Sequence, residues 1–156
     1  MVEIEIDIEK RAKEILVLEN GEIPVNLYTI SERLKIAVIE RPTMTALMSP
    51  NNNPTIVLDS RKDTPHQRME WAHEIGHFVL HAGNQLFLHE LMTQKQEAQA
   101  NSFAHYFMLP TEELENMVFH NAVRSQLLYA MAKRFGVPLS AASQRLIKFE
   151  NQIFTR

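Results

Sequence analysis

Apolar residues in the first third of the chain recur at two different spacings, and the change of spacing divides it into elements. Ile8, Ala12, Ile15 and Leu16 fall three or four apart, which predicts a helix with one buried face, and Asp7 is placed to cap it. The residues before it, Val2, Ile4, Ile6 and Ile8, alternate and fit a strand equally well. Asn20-Gly21 closes this element, and Leu27, Ile30 and Leu34 predict a second, short helix over residues 26–35. Residues 36–40, 43–48 and 55–58 are predicted strands, with Arg41-Pro42 and Ser49-Pro50-Asn51-Asn52-Asn53-Pro54 as the turns between them. Connections this short predict a small antiparallel three-stranded sheet.

The rest of the chain reads as helix. Thr64 suits an N-cap, Pro65 the first helical position, and Gln67 completes a capping box. This helix is predicted to run through His81 and to stop at Ala82-Gly83-Asn84, with the glycine as its C-terminal cap. A connection over residues 85–96 leads to a helix starting near Lys95 and ended by Pro110. Residues 111–129 predict helix with a break, and residues 130–149 split at Gly136-Val137-Pro138 into two short helices.

Composition narrows the chemistry. A chain of 156 residues suits one compact domain, with a small lobe added. Its net charge of −3 points to neither a nucleic-acid binder nor a disordered acidic chain. Cysteine is absent, so a transition metal would have to be held by histidine and carboxylate. The N-terminus lacks the basic and apolar segments of a signal peptide, and no window is apolar enough to span a membrane, so the expectation is a soluble, cytoplasmic protein. Charge is uneven: residues 1–32 hold eight acidic and three basic groups, whereas residues 116–156 hold six basic groups and one acidic group. The basic end fits a DNA or acidic protein surface, and equally a set of solvated helix faces.

The candidate chemistry lies in His73-Glu74-Ile75-Gly76-His77. Residues four apart on a helix lie about 40° apart around its axis, with Cβ atoms roughly 6 Å from each other, so both imidazoles can meet one metal. Glu74 projects beside the pair, placed to take a proton from an attacking water and return it to a leaving amine, as in H-E-x-x-H zinc peptidases. The alternative is a helix with two solvent-facing histidines. Against it, Trp71, Ala72, Ile75, Phe78, Val79 and Leu80 make the helix apolar over most of its surface, and buried polar groups need partners. A catalytic zinc takes three protein ligands and keeps one open position. Glu97, at the start of the next helix, is the leading third ligand and Glu90 its rival. His81 is rotated by about 80° from His73 and suits substrate contact or a helix end better than ligation. His66, His89, His105 and His120 have no partner spacing.

His73-Glu74-Ile75-Gly76-His77-Phe78-Val79-Leu80-His81, then Glu97-Ala98-Gln99-Ala100-Asn101-Ser102-Phe103-Ala104 and Phe107-Met108-Leu109-Pro110, resemble the ImmA/IrrE family of metallopeptidases. That family joins an H-E-x-G-H helix to a helix reading E-x-x-A-N-x-F-A that ends near L-M-P. The resemblance implies a Zn²⁺ site of His73, His77 and Glu97 with Glu74 as general base. It also implies an α+β fold in which the small sheet packs on the active-site helix, followed by a helical C-terminal lobe. On this reading residues 1–110 form the peptidase domain and residues 111–156 a substrate-docking region. Members act in bacteria, phages or mobile elements by cutting a helix-turn-helix transcriptional repressor and so switching on its genes.

Asn101, one turn after Glu97, is a candidate to hydrogen-bond a ligand, and Tyr106, His105 and His81 are candidates to stabilise the oxyanion. The segment 131–146 resembles a helix-turn-helix, with Gly136 in its turn. Its second helix offers only Ser140, Ser143, Gln144 and Arg145 to read bases, so a protein partner is favoured over DNA. The alternative function is a non-proteolytic regulator or toxin–antitoxin-like component whose zinc is structural or sensory. A retained Glu74 argues against it, because a structural site needs no base.

Overall fold

The computed structural model describes residues 2–17, 20–81, 90–120 and 123–155, the side chains of Glu90 and Leu91 excepted. Helix α1 (Val2–Leu16) resolves the ambiguity at the N-terminus in favour of helix. Ile8, Ala12, Ile15 and Leu16 are buried, whereas Val2, Ile4 and Ile6 stay exposed. Asp7 lies inside this helix and does not cap it. After α1, Asn20 and Gly21 both take left-handed backbone, with φ of 60° and 68°. Helix α2 (Leu27–Arg33) starts at Asn26, whose side chain accepts from the Thr29 N–H at 3.2 Å.

Strands β1 (Ala37–Arg41), β2 (Ala46–Met48) and β3 (Thr55–Asp59) form the expected three-stranded sheet. Its pairing departs from the all-antiparallel expectation. The order is β1-β3-β2, with β2 antiparallel to β3 but β1 parallel to it. The cause lies in burial. Ile56, Val57 and Leu58 are consecutive and all buried, so β3 needs cover on both faces and both edges and takes the centre. β1 is largely exposed and serves as an edge. The connection from β1 to β2 therefore passes the end of β3, where Ser60 N–H bonds to Arg41 O at 2.9 Å.

Helix α3 (Thr64–Leu80) packs on β2 and β3, as expected of the helix carrying His73 and His77. Its cap is Asp63, not Thr64. The Asp63 carboxylate accepts from the His66 N–H at 3.0 Å, which makes Thr64 the first helical residue and Pro65 the second. The proposed stop at Gly83 and the connection starting at residue 85 lie outside the described residues. Helix α4 (Glu90–Met108) begins five residues before the predicted start, and α5 (Thr111–His120) follows Pro110. Helices α6 (Arg124–Phe135) and α7 (Leu139–Phe154) flank Gly136, which caps α6 at φ 64°. α7 runs sixteen residues rather than forming a short helix.

Arg68 of α3 fixes this turn. Its guanidinium donates to the carbonyls of Gly136 at 3.1 Å and Val25 at 2.9 Å. A Cβ on Gly136 would stand 2.9 Å from Arg68 Nε, so this contact as well as the positive φ requires glycine. One buried cluster extends from Ile8 of α1 to Phe149 of α7. Among the described residues no helix is long and apolar enough to cross a membrane.

Candidate metal centre

Helices α3 and α4 cross where Gly76 stands. A Cβ there would lie 3.0 Å from the Phe103 ring and 3.1 Å from the Ala100 carbonyl oxygen. Glycine thus lets the two backbones approach closely enough for Glu97 to reach across to His73 and His77. The Nε2 atoms of the two histidines are 3.0 Å apart. Glu97 Oε2 is 3.0 Å from His73 Nε2, and Glu97 Oε1 is 2.8 Å from His77 Nε2. All three residues offer a ligand atom within 4.8 Å of the others. His77 is buried, while the Glu97 side chain is half exposed and leaves the site open on one side.

The outer hydrogen bonds decide what this cluster can hold. His73 Nδ1 lies 2.7 Å from Asn101 Oδ1, an acceptor, so that nitrogen carries the proton and Nε2 keeps its lone pair. On the other histidine, Nδ1 lies 3.2 Å from His81 Nδ1, and His81 Nε2 lies 2.9 Å from Gln99 Oε1. A proton on His81 Nε2 and another on His77 Nδ1 satisfy every contact in that chain, leaving His77 Nε2 bare as well. Two imidazole lone pairs and a carboxylate then face one another with no hydrogen between them. Such a set repels itself and is matched by a cation. Nitrogen and oxygen donors of this kind suit Zn²⁺. Burial lowers the pKa of His77 and keeps its ring neutral, as a ligand must be.

Glu74 stands beside the cluster. Its Oε2 accepts from the Leu47 N–H of the edge strand β2 at 3.0 Å, and its other oxygen has no hydrogen-bond partner among the described residues. Burial raises its pKa above the ordinary carboxylate value, against the opposing pull of His73 and the Leu47 N–H, which makes it a better base near neutrality. A cleft of about 430 Å³ opens beside it. Its walls come from Met44 and Thr45, from His73, Glu74 and Asn101, and from Pro138, Ser140, Ala141 and Gln144 at the start of α7.

The structure therefore brings together His73, His77, Glu97, Glu74, Asn101 and His81. His81 lies on the far side of the His77 ring from the three ligand atoms and does not line the cleft. Tyr106 is directed elsewhere: it is buried, and its hydroxyl donates to Glu5 at 3.2 Å and accepts from Gln152 at 2.7 Å. Glu90 begins α4, but its side chain lies outside the described residues. His105, one of the oxyanion candidates, lines the cleft. Sequence spacing missed two neighbours: His66 also lines the cleft, and Gln99 ends the His81 chain. A signal existed for His105, which falls two turns after Glu97 on the face that carries Asn101.

Known proteins resemble this chain in sequence. Residues 31–147 fit the peptidase M78 family model, described as the IrrE N-terminal-like domain. The chain is 37% identical over 98 residues to the phage-like element PBSX protein XkdA of Bacillus subtilis strain 168, covering 63% of this chain and 49% of XkdA. It is 30% identical over 139 residues to the uncharacterized protein YqaB of the same organism, covering 89% of this chain and 79% of YqaB. The chain thus spans about half the length of XkdA.

Proposed function

The chain belongs to the ImmA/IrrE peptidase family, and we propose that it is a cytoplasmic zinc-dependent endopeptidase that cleaves a helix-turn-helix repressor to derepress its genes. The observation that carries the chemistry is the convergence of three possible ligand atoms, within 4.8 Å of one another, beside a buried carboxylate and an open cleft. His73, His77 and Glu97 would hold the metal. When bound, Zn²⁺ supplies the Lewis acidity that makes water acidic near neutral pH. Glu74, held at one oxygen by Leu47 N–H, takes the proton of the attacking water at its other oxygen and delivers it to the leaving amine. Asn101 orients His73 by accepting from its Nδ1–H.

Residues 111–156 serve as the docking region for the substrate. In support, the first turns of α7 wall the same cleft as His73 and Glu74. Arg145, one of few base-reading candidates in the helix-turn-helix-like segment, is fully buried and bonded to Leu109 O and Thr111, so it offers nothing to a DNA groove. A protein partner fits better than DNA. The phage-like element in the name of XkdA suits a mobile-element setting and a repressor encoded beside the gene.

The test is co-expression with a helix-turn-helix repressor encoded in the neighbourhood of the gene, identified from the genome, followed by mass spectrometry for fragments. Wild type should produce two fragments, and Glu74→Gln should bind the repressor without cutting it. Binding without cleavage by both proteins would replace this reading with a non-proteolytic regulator. Sequence-selective, salt-sensitive DNA binding by the chain alone would assign the C-terminal lobe to DNA instead.

A further inference from the structure

The two histidines of the cluster are supported in different ways. His73 meets its outer partner directly, through Asn101. His77 meets a second imidazole, His81, which in turn meets Gln99 of α4. His81 is the residue that ends α3, and its own N–H still bonds to His77 O at 2.9 Å, so its ring is held by backbone on one side and by Gln99 on the other.

A neutral imidazole has one N–H and one lone pair, so the chain His77–His81–Gln99 can be ordered in only two ways. With the Gln99 oxygen toward His81, His81 donates from Nε2 and accepts at Nδ1. His77 must then donate from Nδ1, and its Nε2 is bare. With the Gln99 amide turned over, its N–H would be offered to His81 Nε2 and every proton in the chain would reverse. His77 would then carry its hydrogen on Nε2, aimed at His73 and Glu97, in the place a metal needs. Gln99 Oε1 stands 2.9 Å from His81 Nε2, the amide orientation that corresponds to the first order.

We propose that His81 and Gln99 are positioning residues that hold His77 in the tautomer able to ligate a metal. The proposal rests on the metal-centre reading above and extends it to two residues, one of them 22 positions from His77 in the chain. Neither touches the cleft that holds Glu74, so they act on metal affinity and not on substrate.

Long-range ¹⁵N NMR of metal-free wild-type protein at about pH 8.5, where free imidazole is neutral, reads the tautomers directly. The proton should sit on Nδ1 of His77 and on Nε2 of His81. Chelator competition then measures zinc affinity of the variants. His81→Phe should lose about 10–100-fold in affinity and show a mixed His77 tautomer. His81→Gln, whose side-chain oxygen can accept from His77 Nδ1–H, should restore most of the affinity. Gln99→Leu should mix both tautomers with the rings still in place. A proton on His77 Nε2 in the wild type overturns the proposal, as does wild-type affinity in His81→Phe. The two readings separate cleanly, because the tautomer is read without metal. A wild type with the expected tautomers and no zinc affinity overturns the metal centre, whereas tight zinc binding with His77 protonated at Nε2 in the free protein overturns the relay alone.

Discussion

Helix α4 carries polar groups on two opposite faces, and the two sets are composed differently. Glu97 and Asn101 face α3, where two imidazole nitrogens and a carboxylate converge. Ser102 and Tyr106 face α1 and α7. There the Glu5 carboxylate accepts from Ser102 at 3.0 Å and from Tyr106, and pairs with Lys148 at 2.7 Å. Lys148 and Arg145 lie over the Tyr106 ring, 4.6 and 4.8 Å from its centre. Burial alone would raise the pKa of Glu5, but Lys148, Ser102 and Tyr106 outweigh it and hold the carboxyl below its usual value. The rear set is complementary: a charge meets its opposite and a donor meets an acceptor. The front set is alike, acceptor facing acceptor. Complementary groups complete one another and serve the fold, whereas a set of like groups drawn together around the buried His77 is complete only with something added.

Removing the part that makes the front set alike gives the largest effect. Glu97→Ala should lower zinc affinity by more than the roughly 100-fold that loss of an outer hydrogen bond costs, so that the purified protein carries little zinc, and Glu90→Ala should leave it unchanged. Because the deleted carboxylate faces groups that it does not complement without metal, the melting temperature of the metal-free protein should change little. Full zinc occupancy in Glu97→Ala, measured by elemental analysis, would remove the distinction between the faces. Glu74→Gln comes next. It deletes no ligand, so zinc should stay, while repressor cleavage should fall by about 10²–10⁴. Wild-type cleavage by this variant would show that the base lies elsewhere.

The distinction between the faces was only partly legible in the sequence. Helical spacing alone places His73 and His77 together, and turn position makes Glu97 the leading third ligand. It also separates Tyr106, nine residues after Glu97 and therefore about 180° around α4, from the face that holds the metal site. Tyr106 was nevertheless a plausible oxyanion group, because its closeness to Asn101 in sequence masked that rotation. What spacing could not supply was the crossing of α3 and α4. That crossing depends on Gly76 meeting Ala100 O and Phe103, a contact between helices, and it alone brings Gln99 to His81. The sheet order was hidden for a similar reason. Short turns suggested hairpins throughout, but the burial of β3 on both faces set its place in the centre. In the basic C-terminal segment, charge composition does not reveal that Arg145, a candidate to read bases, is buried while Lys133 remains exposed.

Arg145 gives the larger test of the rear set. Its guanidinium donates to Leu109 O at 3.0 Å and Thr111 Oγ1 at 2.9 Å, and Thr111 donates in turn to Glu9 at 2.5 Å. These bonds tie α7 to the end of α4 and to α1, although Arg145 Nη1 itself has no partner among the described residues. Arg145→Met keeps much of the volume and strands the two acceptors. It should destabilise the fold by about 1–3 kcal/mol, seen as a lower urea midpoint, with zinc affinity unchanged per folded molecule. A variant that folds as stably as wild type but binds zinc poorly would mean that the rear set serves the site.

Lys148→Met should have the smallest effect and tests the complementarity of the rear set through pH. The pair it breaks is partly exposed, with 28% of the Lys148 side chain and 38% of the Glu5 side chain accessible, so solvent screens it. A contribution of about 0.2–1 kcal/mol near neutral pH is appropriate to such a pair. The sign follows from Glu5, whose pKa in the folded protein lies below its ordinary 4.5. A depressed carboxylate pKa stabilises the fold above the unfolded value, and that stability is lost as pH falls through the folded one. Wild type should therefore exceed Lys148→Met in stability at neutral pH, and the gap should narrow as the pH drops below 4.5 until it closes where Glu5 is protonated in both. Comparing the two proteins at each pH cancels the titration of the other carboxylates. A gap that stays constant from neutral to acid would show that Lys148 acts through its stem packed on Tyr106 and not through its charge on Glu5.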